Sequence, residues 1–160
     1  TYVVGPDGTP GVWFHSLEAG RLPATAIARL TYGLPYFWAD MAVANHGSTW
    51  TYDSERRWPG PKGARCHVGA NVGASFPLDE QSPFERFLTA RWGLYSTFAS
   101  RLVYAPVDHD PWPLHRAELV DLDDELVAAA GLAIPDEEPV VHWTPGVEVR
   151  IGRPRRARAR

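Results

Sequence analysis

Turns dominate this chain. Fifteen prolines and fourteen glycines are spread over 160 residues, so few stretches run long enough for a multi-turn helix. Proline lacks a backbone N–H and glycine costs backbone entropy, so both collect where the chain reverses. A helical bundle is therefore excluded. With 44% hydrophobic residues, the chain has enough apolar surface for one domain core. The segments between turns are rich in Val, Thr, Tyr, Phe and Trp, the residues that suit a pleated, half-buried surface.

Residues 2–4 and 11–17 flank the turn GPDGTPG and read as a hairpin. Residues 22–32 read as a short helix. Pro23 suits its first turn, three alanines favour it and Gly33 stops it. Residues 37–45 and 48–53 form a hairpin about His46-Gly47, and 65–72 follow as a strand. Ser82, Pro83 and Glu85 spell a capping box, which predicts a helix from 83 to about 90. Strands are expected at 92–96, 101–108 and 114–121. Asp121–Asp124 then offer caps for a helix through Ala130, and 140–143 with 147–151 read as a terminal hairpin across Thr144-Pro145-Gly146. No βαβ rhythm appears, so the class is α+β, mostly β. A twisted or barrel-like antiparallel sheet with short peripheral helices is the natural closure, because it removes exposed edges.

Net charge is −3, which gives no general attraction to nucleic acid. The basic tail, RIGRPRRARAR at 150–160, has no aromatic platform and reads as a mobile terminus without sequence-specific nucleic-acid binding. A lone cysteine, Cys66, rules out an internal disulfide. No apolar run spans a bilayer and no signal peptide stands at the start. A cytoplasmic protein without a membrane partner is the expectation.

The six histidines form no strong metal signature; His109, Asp110 and His115 come nearest, and no metal is expected. No motif for a cofactor is present either. Cys66 and His67 are strand neighbours that point to opposite faces, so they make no dyad. Lys62 lies in a Pro/Gly loop, where exposure is expected rather than Schiff-base chemistry. The candidates for a site are Arg29, set among apolar helix neighbours, Tyr36 after a Gly-Leu-Pro break, and Arg56 at a strand end. His109 and Trp112 sit in the rigid segment VDHDPWPLHRAEL. Two guanidinium groups and a tyrosine around one volume would recognise a small carboxylate, with His109 and Trp112 at the rim. The competing reading of the arginines is a salt-bridge network, with Asp40, Asp53 or Glu55 as partner.

Several segments carry a resemblance. GVWFHSLEA at 11–19, ARLTYGLPYFWADM at 28–41, TYDSERR at 51–57, FLTARWGLY at 87–95, VDHDPWPLHRAEL at 107–119 and HWTPGVEVRIG at 142–152 resemble the YqjF-like proteins, an uncharacterised bacterial family. Members of that family usually carry residues before the point where this chain starts. The resemblance implies a single domain over 1–152, lacking an N-terminal portion, with 153–160 as a basic tail. It also implies a fold like acetoacetate decarboxylase, a cone-like β-barrel with an internal cavity. That enzyme works through a lysine pair, which this chain lacks. The resemblance carries no activity, and the function expected from the candidate residues is small organic acid binding in a barrel cavity. An enzyme acting on a small carboxylate or ketone without a Schiff-base lysine, and a structural or protein-interaction domain, are the alternatives.

Overall fold

A computed structural model describes residues 1–159. Twelve strands, three α-helices and one short 3-10 turn follow one another in these residues. The first strands are β1 (Tyr2–Val4), β2 (Pro10–Trp13) and β3 (Leu17–Ala19), before helix α1 (Leu22–Tyr32). Three long strands come next: β4 (Tyr36–His46), β5 (Thr49–Trp58) and β6 (Arg65–Ser75). Helix α2 (Pro83–Thr89) leads to β7 (Gly93–Phe98), β8 (Arg101–His109) and β9 (His115–Asp124). After α3 (Leu126–Ala129), three short strands close the chain: β10 (His142–Trp143), β11 (Val149–Ile151) and β12 (Arg155–Arg156).

The mostly-β class holds, but the barrel does not. The strands form two separate sheets, ordered β1-β2-β7-β8-β11 with β12 also on β8, and β10-β9-β6-β5-β4-β3. The first sheet is open and the second curls only halfway to closure. Nor is the pairing purely antiparallel: β2 runs parallel to β7, and β3 parallel to β4. The run 11–17 explains part of this. It is not one strand but breaks between β2 and β3, so the chain leaves the first sheet and enters the second at Phe14–Ser16. The expected terminal hairpin fails for the same reason. β10 pairs with β9 in the second sheet while β11 pairs with β8 in the first, so Thr144–Glu148 crosses between sheets instead of turning within one.

The second sheet shows the period of two most clearly. One rung across it reads Val43, Tyr52, Val68 and Leu122; the adjacent rung reads Ala42, Asp53, His67 and Asp123. Successive side chains point to opposite faces, so one face is apolar and the other charged. Val43 and Leu122 on the apolar face are exposed. The charged face is laced by ion pairs, Arg57 with Asp40 at 2.7 Å and His67 with Asp53 at 2.7 Å.

Helix α1 ends as its sequence dictates. Gly33 adopts φ +63°, and its amide closes the last turn onto the Ala28 carbonyl. A Cβ on Gly33 would stand 2.2 Å from the Thr97 carbonyl oxygen, so glycine here also lets the helix end approach β7. Helix α2 begins on the expected capping box: Ser82 Oγ accepts from the Glu85 amide, and Glu85 accepts from the Ser82 amide. Helix α3 is far shorter than the acidic caps suggested, although Asp124 does accept from the Leu126 and Val127 amides.

Residues 155–157 of the basic tail lie along β8. Arg155 and Arg156 pair with Tyr104 and Val103 of β8, and the Ala157 amide donates to the Leu102 carbonyl. Among the described residues, no helix is long and apolar enough to cross a membrane.

Candidate functional site

The crossings between the two sheets leave a cleft of about 730 Å³ at the seam. Phe14 comes from the β2–β3 crossing and Leu17 from the start of β3, Trp112 and Leu114 come from the β8–β9 crossing, and Thr144 from the β10–β11 crossing. Leu94, Val107 and Ile151 supply walls from the first sheet. Most of this lining is apolar, and its polar side chains are few: Arg91, His109, His142, Tyr36 and three threonines among them. A concave apolar site with a small number of polar groups is the usual form of a small-molecule pocket.

Of the five residues picked out in the sequence, the cleft gathers three. Tyr36, His109 and Trp112 all line it. His109 is packed between indoles, stacked on Trp92 with centroids 6.0 Å apart and edge-on to Trp112 at 5.9 Å. Both its ring nitrogens lie against backbone carbonyls, Nδ1 at 2.7 Å from Asp110 and Nε2 at 3.1 Å from Arg91. The ring is thus a fixed wall.

Arg29 and Arg56 lie elsewhere. Arg29 donates to the Tyr36 carbonyl at 2.7 Å, with its guanidinium over the Phe37 ring. Arg56 is 1% exposed and sits 3.6 Å from the centroid of the same ring. Its Nε donates to Glu18 at 2.9 Å and its Nη2 to Ser16 at 2.7 Å, and Nη2 also makes an ion pair with Glu18. The salt-bridge reading therefore describes Arg56, with a partner other than those expected. Glu18 lies in β3, beyond β4 on the sheet edge, and a period-two reading of β5 carries no signal for it. The nearby acids are engaged otherwise, Asp40 and Glu55 by Arg57 and Asp53 by His67.

Two groups in the cleft escaped the sequence reading. Arg91 follows α2. Its Nη1 donates to the Ala90 carbonyl at 3.0 Å, and its guanidinium lies 4.0 Å from the Phe87 ring centroid and 4.9 Å from that of Tyr2. Its Nε is buried without any hydrogen-bond partner, a state that no other side-chain nitrogen or oxygen among the described residues shares. Nothing in TARWG marks this arginine out except its position just past a capped helix.

His142 is the second. Its Nε2 lies 2.9 Å from Glu85 Oε1, and its ring packs against Phe76. Glu85 is thus shared between the helix cap, His142 and Arg116, whose Nη1 is 3.1 Å away. The Ser82 amide and hydroxyl, then His142, hold this carboxyl down at about 2. It is therefore ionised at neutral pH.

Other chemistry is quieter. Lys62 is exposed, as its loop implied. Burial and the nearby Asp124 push the Cys66 thiol up to about 11, away from a reactive thiolate. Among the described residues, no group of three or more His, Cys, Asp or Glu converges as metal ligands would.

Comparison with known proteins agrees with the resemblance noted in the sequence. Residues 1–148 match the model of the DUF2071 family, described as "Uncharacterized conserved protein". The chain is 34% identical over 144 residues to "Uncharacterized protein YqjF" of Bacillus subtilis (strain 168), a match covering 89% of this chain and 58% of that protein. The chain thus spans less than two thirds of the curated relative's length. No solved structure matches it, and the implied kinship with acetoacetate decarboxylase stands on the resemblance alone. The match along nearly the whole chain, in family model and relative alike, shows that this chain belongs to the DUF2071 family.

Proposed function

We propose that the cleft at the sheet seam binds a small organic anion with an apolar tail. The observation that carries this reading is Arg91, a guanidinium on an apolar cleft with one buried N–H donor left unmatched. Leaving such a donor unpaired costs about 1–3 kcal/mol. A carboxylate in the cleft suits this guanidinium, whose charge cannot be lost and whose remaining donors pair well with carboxylate oxygens. The apolar walls would take the tail, and the volume lies in the range of ordinary ligand sites, roughly 300–1,000 Å³. Tyr36 and Trp112 join these walls. Arg29 and Arg56 act from behind, fixing Phe37 and the start of β4.

A thermal-shift and NMR titration tests this. Octanoate should raise the melting temperature and shift the amides of residues 88–94, whereas octylamine should do neither. Arg91→Met should abolish the octanoate response while the fold persists. An equal response to octanol and octanoate would overturn the assignment of an anion.

A further inference from the structure

The cleft holds one imidazole with a nitrogen to spare. The other histidine that lines it, His109, has both nitrogens against backbone carbonyls. His142 differs. Its Nε2 is tied to Glu85, it lines the cleft, and among the described residues its Nδ1 has no hydrogen-bond partner and is not sealed from solvent. An ionised carboxylate only accepts hydrogen bonds, so in the neutral ring the hydrogen sits on Nε2 and the lone pair on Nδ1. Glu85 is itself held by the Ser82 amide at 2.7 Å and by Arg116. The base is therefore oriented by a partner that is in turn fixed, which is the arrangement that general-base catalysis uses.

We propose that His142 is a proton-transfer group of this cleft, acting on the carbon next to the carbonyl of a bound 2-oxo acid with an apolar tail. This rests on the reading that Arg91 holds an anion there. A neutral imidazole removes a proton from carbon only where a neighbouring carbonyl acidifies it. A 2-oxo acid carries that carbonyl beside its carboxylate, so one guanidinium can face both oxygens. In the step, Nδ1 takes a proton from C3. The C–H electron pair forms the C2–C3 double bond, and the carbonyl π pair moves to its oxygen, giving an enolate. Arg91 opposes the charge that develops on that oxygen. The imidazolium then returns a proton to C3, so no oxidant or second substrate is required. Glu85 acts here as a positioning residue, through His142.

The test is proton exchange in D₂O with 2-oxooctanoate, followed by ¹H NMR of the C3 methylene. The wild-type chain should exchange these protons roughly 10²-fold faster than an equal concentration of free imidazole. His142→Gln keeps an amide that can donate to Glu85, so the fold and the octanoate thermal shift should survive while exchange falls about 10²-fold. Added imidazole should restore exchange in His142→Ala. Wild type that binds octanoate but exchanges no faster than free imidazole would overturn the proposal alone, as would a His142→Gln variant exchanging at the wild-type rate. A wild-type chain that does not bind octanoate would overturn the anion reading instead.

Discussion

The two sheets are built on opposite plans. In the second, β4, β5 and β6 follow one another in sequence and pair in that order along 10- and 11-residue strands. In the first, β2 lies beside β7, which comes some eighty residues later, and the far edge of β8 is completed by three- and two-residue strands from the chain's end. Local pairing needs only a turn and a pattern, while distant pairing must also bear the entropy of closing long loops. The difference shows what each plan supplies. The local sheet provides a regular scaffold, and the distant one forces the crossings that leave a cleft between them.

The sharpest way to break this comparison is at the join. Arg56 belongs to the local sheet but neutralises Glu18, which arrives from the first sheet through a crossing. Arg56→Met should cost about 3–5 kcal/mol, because it strands a buried carboxylate. Chemical denaturation measures it, and a loss below 1 kcal/mol would show that Glu18 finds water or another partner. A pair of glycines comes next. Gly33 and Gly47 both have positive φ, but Gly33 abuts Thr97 while nothing lies within 4 Å of a Cβ on Gly47. Gly47→Ala, at the tip of the local β4–β5 hairpin, should cost about 1 kcal/mol from backbone strain alone. Gly33→Ala, at the seam with β7, should cost about 3 kcal/mol. Equal losses would mean that the seam yields as easily as a free turn.

A third effect is read against pH. The Glu85 carboxyl is depressed from its ordinary value near 4.5 to about 2. Its contribution is therefore complete above the ordinary value and disappears as pH falls through the depressed one. The stability gap between wild type and Glu85→Gln should be constant at neutral pH, narrow from about pH 4.5 downward and close near pH 2. Denaturant midpoints across that range provide the check, and a gap that does not narrow in acid would remove the carboxylate from the account.

What could be read from the residues follows the same division. The β4–β5 hairpin, both main helices and the capping box at Ser82 are all marked by local chemistry, and they stand within a few residues of where that chemistry puts them. Ser82 was legible as a cap because its partner is three residues away. Glu85 was legible as a cap for the same reason, yet its second partner, His142, is 57 residues distant and left no local trace. The parallel pairs, the split of residues 11–17 between sheets and the absence of barrel closure are likewise non-local. Tyr36 follows Pro35, and His109 and Trp112 have prolines on either side, a signal that sequence does carry. The two arginines were misplaced because charge declares a need for a partner without naming it.

An open sheet has a rim, and a rim of unpaired backbone invites another chain. β8 meets this with a broken hem. β11 covers residues 107–109 and β12 covers 103 and 104, while between them Gly152 passes over the face of Pro106 and Pro154 interrupts the strand. The outermost strand is therefore short, kinked and rich in arginine, all features that deny an incoming strand a continuous ladder. Arg155 and Arg156 stand at this rim, at the side of the molecule where closure was forgone.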